Sequence, residues 1–222
     1  MNATAARAAV FDVVGTLFDL RPLADGLRAV GAPAEALDAW FERLLHTAAS
    51  LTLAGEFAPF AEIAETTLRA VLARAGVEPE RASDVLPALA ELPAHADTRP
   101  ALERLAGAGV RVATLTNSGE EQTQALLDSA GLADLVEGIY TTADVQAYKP
   151  HPAPYRRALD ELGLAPADVA FVAAHGWDVV GARAVGMKAV WVDRLECLWP
   201  LPVPEPDLRA EGLEEAVELV LA

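Results

Sequence analysis

The stretch from Ala8 to Val14 is apolar except for one carboxylate, Asp12, and it breaks at Gly15. Such a run predicts a buried strand, with Asp12 delivered toward its carboxyl end, where open parallel sheets hold their ligands. An Asp close to a Gly can simply cap a turn. Among Val and Phe, however, a carboxylate is costly to bury unless something pairs with it, so the rest of the chain is expected to supply a partner.

From about Arg21 to Pro93 the periodicity is helical throughout. Leu37, Trp40, Phe41, Leu44, Leu45 and Ala48 recur at helical spacing, as do Phe60, Ile63, Ala64, Thr67, Leu68, Val71 and Leu72. Gly31-Ala32-Pro33, Gly55 and Gly76 to Pro79 punctuate this segment, and Leu92 to Asp97 reads as the return of the chain to the core. Residues 21–93 are therefore expected to form an inserted helical cap, with 1–20 and 94–222 as the catalytic core. Beyond Asp97 helix and strand alternate. Strands are predicted at Val110 to Thr116, Ile139 to Thr142, Val169 to Ala174 and Lys188 to Val192. Helices are predicted at Thr98 to Ala108, Gly119 to Ala130, Pro152 to Leu162, Val179 to Val185 and Leu213 to Leu221, with Pro200 to Pro206 as a surface connection. This order implies an α/β fold with a doubly wound parallel sheet.

Composition narrows the partners. Lys and Arg total 17 against 33 Asp and Glu, a net charge of −16, which argues against nucleic acid and anionic membranes. It also gives no general attraction for anions, so an anionic substrate must be held by local groups. With 53% hydrophobic residues the chain can bury a sizeable core. Cys197, the single cysteine, rules out an internal disulfide and is read as a packing residue. Met1 to Arg7 lacks the features of a signal peptide and no apolar run is long enough to span a bilayer, so the expected location is cytoplasmic.

Several strand ends carry polar residues that would converge in one crevice: Asp12, then Thr116-Asn117-Ser118, then Lys149 in a loop, then His175-Gly176-Trp177-Asp178. Taken singly, Thr116 and Asn117 could be a helix N-cap, Lys149 a solvated lysine, and Asp178 the cap of a helix starting at Val179. Together they supply what Asp12 lacks. An ammonium close to a carboxylate keeps it ionised in a closed site, lowering its pKa by roughly 1–3 units.

Phe11 to Leu17, Leu115-Thr116-Asn117, Tyr148 to Pro152, and Ala174 to Asp178 with Gly181-Ala182-Arg183 resemble the four ordered motifs of the haloacid dehalogenase-like (HAD) superfamily. Within it they are most similar to the L-2-haloacid dehalogenase (type II) branch. The resemblance implies a Rossmann-like core with an α-helical cap. Asp12 would be the nucleophile, with Thr116 hydrogen-bonded to its carboxylate. Lys149 would neutralise charge beside it, and Asp178 would fix Lys149 and help to position water. Asn117 and nearby backbone N–H groups would hold the carboxylate of a short 2-haloacid, without cofactor or metal. A carboxylate displacing halide from C2 forms an ester that water then hydrolyses. The family often dimerises, which leaves a homodimer open.

HAD phosphatases carry a second Asp two positions after the nucleophile and an extra acid in the fourth motif; here these positions are Val14 and Ala174. Asp12 and Asp178 alone are a poor ligand set for Mg²⁺. The chain also departs from the dehalogenase pattern. Val14 stands where a Tyr is common, and the halide-contacting Arg after a cap Trp falls on Phe41, with Arg43 pointing elsewhere on the helix. The common Ser and Asn of the fourth motif are Ala173 and His175. Losing an Arg from a halide cradle weakens binding by roughly 1.5–3 kcal/mol if nothing replaces its hydrogen bonds. His175 could serve as the donor, with Trp177 lining the pocket; either could equally be packing. Three readings stay open at this level: a metal-independent 2-haloacid dehalogenase, a HAD phosphatase acting on a small metabolite, and a catalytically silent binding protein.

Overall fold

The computed structural model describes residues 5–222; Met1 to Thr4, at the start of the predicted core, lie outside the described residues. Strand β1 (Ala8–Phe11) is followed by helices α1 (Leu23–Ala29), α2 (Ala36–Ala54), α3 (Phe60–Arg74) and the short α4 (Ala82–Val85). Helix α5 (Thr98–Gly107) then opens the alternating part: β2 (Arg111–Thr116), α6 (Glu120–Ser129), β3 (Gly138–Thr141), α7 (Pro152–Leu162), β4 (Val169–Ala173), α8 (Gly176–Ala184), β5 (Lys188–Val192), β6 (Leu208–Ala210) and α9 (Leu213–Leu221). The strands form one parallel sheet in the order β3-β2-β1-β4-β5-β6. The order reverses between β1 and β4, so the carboxyl ends of these two strands flank the crevice where such sheets bind ligands.

Period-two alternation sorts each strand into two buried layers. Ala9, Phe11, Val112 and Val172 face Leu102 and Leu105 of α5 and Leu213 and Val217 of α9. Val10, Ala113, Leu115 and Phe171 face Tyr155 and Leu159 of α7 and Val179 and Ala182 of α8. The helices after β1 pack on a third cluster of their own, built on Leu23, Leu27, Trp40, Leu44, Leu68 and Leu72, to which Tyr148 also contributes. The chain leaves for this segment and returns from it side by side, since Asp19 N donates to Pro93 O at 2.9 Å and His95 N to Leu17 O at 2.9 Å. No helix among the described residues is long and apolar enough to cross a membrane.

Several boundaries differ from expectation. Strand β1 stops at Phe11 rather than Val14, because Gly15, with φ of 86°, folds the chain back so that Leu17 N and Phe18 N both donate to Val13 O. Strand β6 was not expected: with only Leu208 and Ala210 turned inward, it is too short to stand out as an apolar run. Cys197, read as a packing residue, is exposed.

Helices α7 and α8 meet so closely that a Cβ on Gly181 would overlap the Tyr155 phenol. Gly181→Ala is expected to destabilise the protein by about 1–3 kcal/mol through overpacking. At Gly107, where an added Cβ meets nothing within 4 Å, the same change should be neutral or stabilising by up to about 1 kcal/mol. Urea unfolding of the two variants measures the contrast.

Candidate active site

Asp12 follows β1 directly and is tied to the neighbouring strand by its backbone, with N donating to Val172 O at 3.1 Å. The residue is 5% exposed. Lys149 Nζ donates to Asp12 Oδ1 at 2.8 Å and Thr16 Oγ1 donates to Oδ2 at 2.7 Å. The other two protons of the ammonium go to Asp178 Oδ2 at 2.7 Å and Leu115 O at 2.8 Å, so all three donors of Lys149 are used. Asp178 is wholly buried, and the Tyr155 hydroxyl donates to its second oxygen, Oδ1.

The charges shift one another. Burial alone would raise the Asp12 carboxyl, but the Lys149 ammonium, then His175 and the hydrogen bonds from Lys149 and Thr16, hold it below the usual range. Burial likewise works against the Lys149 ammonium, and the charges of Asp12 and Asp178 overcome it and raise its pKa. Asp178 is pushed up to about 6, by burial first and by repulsion from Asp12, against the pull of Lys149 and the hydrogen bond from Tyr155. The Tyr155 phenol, buried beside a carboxylate, rises well above its ordinary value.

Local sequence explains how each group arrives. The turn that ends β1 needs a left-handed residue at Gly15, where a side chain would strike the His175 ring and Leu195. That turn brings Thr16 back to Asp12, and Ala174 N donates to Thr16 Oγ1 at 2.9 Å, fixing the hydroxyl. After β2, Thr116 Oγ1 accepts from Ser118 N at 3.0 Å, and Asn117 Oδ1 accepts from Lys149 N at 3.2 Å, joining two strand-end loops. After β4, the His175 ring lies between Phe41 and Trp177, with centroids 5.5 Å and 5.3 Å away. His175 Nε2 is 3.1 Å from Val14 O and 3.9 Å from Asp12 Oδ2. Since a carbonyl only accepts, the first contact places a proton on Nε2.

A cavity of about 260 Å³ opens over Asp12. Val14, Phe41, Thr116, Asn117, His175 and Trp177 line it, as do Ser118 and Gln122; Lys149 and Asp178 lie behind Asp12 and do not. No Lys or Arg lines it. Phe41 does occupy the wall where the resemblance places an Arg, and Arg43 is exposed. Among the described residues no group of three or more His, Cys, Asp and Glu side chains could hold a metal ion.

Some expected roles are corrected. The hydroxyl bonded to Asp12 belongs to Thr16, because the turn at Gly15 brings it close, while the Thr116 hydroxyl serves its own loop. Asp178 does not cap a helix at Val179: α8 begins at Gly176, and both carboxylate oxygens are taken by Lys149 and Tyr155 rather than turned toward water in the cavity. Lys149, at 3% exposure, is not a solvated lysine. Sequence reading missed Thr16, although it stands in the same motif as Asp12, and Tyr155, which nothing separates from an ordinary aromatic on an amphipathic helix. It also missed Glu196, whose Oε2 accepts from Gly176 N at 3.0 Å across a loop.

Comparison with known proteins gives a consistent picture. A family model described as haloacid dehalogenase-like hydrolase matches residues 6–186. The (S)-2-haloacid dehalogenase 4A of Burkholderia cepacia is 34% identical over 192 residues, covering 85% of this chain and 83% of that protein. A crystal structure of a dehalogenase with an intermediate complex is 30% identical, with a TM-score of 0.89 over 99% of each chain. The L-2-haloacid dehalogenase from Xanthobacter autotrophicus with chloropropionic acid covalently bound is 28% identical, with a TM-score of 0.86 over 97% of this chain and 98% of that one.

Removing Lys149 leaves two carboxylates buried without a counter-charge. Lys149→Met is expected to cost about 3–5 kcal/mol of stability at neutral pH. The remaining carboxyls then take raised pKa values in the folded state, so the deficit should shrink as pH falls and one of them protonates. Urea unfolding at pH 7 and pH 5 compares the two conditions.

Proposed function

The chain belongs to the haloacid dehalogenase-like hydrolases, in the L-2-haloacid dehalogenase branch, and from that premise we propose that it hydrolyses 2-haloacids to 2-hydroxy acids through an ester on Asp12. The observation that carries this reading is Asp12 itself: a buried carboxylate, kept ionised by Lys149, facing a cavity whose walls offer no second acid beside it. In this reading residues 21–93 are the cap and residues 1–20 with 94–222 the core, a division supported by the separate helical cluster and the paired exit and return of the chain.

Asp12 attacks C2 from the side opposite the halide, which leaves with the bonding pair. The substrate carboxylate is held at the loop before α6, where the Asn117 amide, its carbonyl already engaged by Lys149 N, presents its NH₂ beside Ser118. The halide leaves beside the His175 ring, which lies between Phe41 and Trp177 where no cation stands on the cavity wall. Water then attacks Asp12 Cγ. His175 is the imidazole lining the cavity, and its nitrogen not engaged by Val14 accepts the water proton and returns it to the departing alkoxide. Lys149 and Thr16 stabilise the charge that develops on the Asp12 oxygens. The regenerated Asp12 carboxyl ionises beside Lys149, and the product carries away an oxygen that began on Asp12.

Phosphoryl transfer is the weaker reading. The position of a leaving-group acid is Val14, and the space between the two carboxylates holds the Lys149 ammonium, which is bonded to both. This arrangement supports chemistry independent of a divalent metal, since a cation there would have to displace Lys149.

The protein is expected to release halide from 2-chloropropionate with a rate unaffected by chelator, and Asp12→Asn to lose roughly 10⁴-fold or more, as for removal of a nucleophile. In a single turnover in ¹⁸O-water the label should enter Asp12 and not the product; label in the product would exclude the ester. His175→Ala should release halide once per site and leave the ester on the protein, visible by mass spectrometry.

The rate should rise with pH through about 6 as Asp178 ionises and takes up its share of the Lys149 ammonium. Tyr155→Phe should move this limb to higher pH, because the phenol's hydrogen bond favours the ionised carboxylate. Profiles of kcat against pH for the two proteins test the shift.

A further inference from the structure

The cavity over Asp12 is divided between two sets of elements. Its floor, at the carboxyl ends of the strands, carries Asp12, Asn117, Ser118 and His175. Its roof, from α2, α3 and the stretch Leu86–Ala90, is apolar, with Trp40, Phe41, Leu45, Phe60, Leu86 and Leu89 among its residues. Of these, Phe41, Phe60, Leu86 and Leu89 are only partly buried, so they hold apolar surface that their own cluster does not cover. A cavity of about 260 Å³ is larger than the head of a three-carbon haloacid fills.

The charge balance points the same way. A protein of net charge −16, with no Lys or Arg lining the cavity, offers a small anion little electrostatic attraction. Affinity must then come mainly from apolar area removed from water, which a substrate limited to a carboxylate, a halogen and a methyl group scarcely provides.

We propose that the site is built for 2-haloacids with an apolar tail longer than that of a propionate, the head held on the polar floor over Asp12 and the tail lying under the cap between Trp40, Phe60 and Leu86. This rests on the dehalogenase reading of Asp12. It places the selectivity of the enzyme in the apolar roof, and makes tail length, rather than a halide-binding cation, the chief source of substrate affinity.

The test is halide release from a series with one leaving group: 2-bromopropionate, 2-bromobutanoate, 2-bromohexanoate and 2-bromooctanoate. Each fully buried methylene is worth about fourfold in kcat/KM, so the three that separate the hexanoate from the propionate set a ceiling of about sixtyfold, and a gain of about tenfold is expected. Ala61→Phe, which places bulk on the α3 side of the roof, should lower the ratio of hexanoate to propionate kcat/KM. A flat or falling series with clear turnover of the propionate would overturn this proposal and leave the dehalogenase reading standing. No halide from any member, with the protein folded by circular dichroism, would overturn both.

Discussion

Everything at this site depends on one ammonium placed between two buried carboxylates. Lys149 is a loop residue, far in sequence from both partners, yet Nζ sits within hydrogen-bond distance of Asp12, Asp178 and the Leu115 carbonyl. Without it, the sheet would carry two like charges in a region that excludes water, at a cost comparable to a large part of a domain's stability. With it, the two carboxylates differ. Asp12, bonded also by Thr16 and facing the cavity, stays ionised; Asp178, enclosed by Lys149 and Tyr155, is pushed up to about 6. One of them faces the cavity, and the other holds the lysine.

The parallel sheet makes this arrangement possible. Its reversal of strand order between β1 and β4 opens the crevice, and the loops after β1, β2 and β4 meet there, joined by the Lys149 loop. Hydrogen bonds then join loop to loop: Thr16 to Ala174, Asn117 to Lys149, His175 to Val14 and Glu196 to Gly176. The floor of the cavity is therefore held by backbone and buried side chains. Its roof belongs to helices whose packing is largely their own.

Much of this was legible from residue order. The alternation of apolar strands and amphipathic helices predicted the parallel sheet, and the helical periodicity of residues 21–93 predicted a segment of helices only. Asp12 stood out because a carboxylate in an apolar run needs a partner, and Lys149 and Asp178 were named as candidates from their places after strands. The resemblance assigns the hydroxyl beside Asp12 to Thr116 by motif, and only the turn at Gly15 decides that Thr16 is the one that reaches it. Tyr155 and Glu196 carry no local signal at all; each acts across a contact that joins separate elements.

The sequence by itself determined the type of fold and singled out Asp12 as a buried carboxylate in need of a partner, because hydrophobic periodicity and the cost of burying an unpaired carboxylate are properties of a short stretch of chain. Only the tertiary structure decided which groups bond to Asp12, that Asp178 is closed off from the cavity, and that the cavity is apolar above. Those outcomes depend on distances of a few ångströms between residues as many as 161 positions apart, set by how whole helices and strands pack.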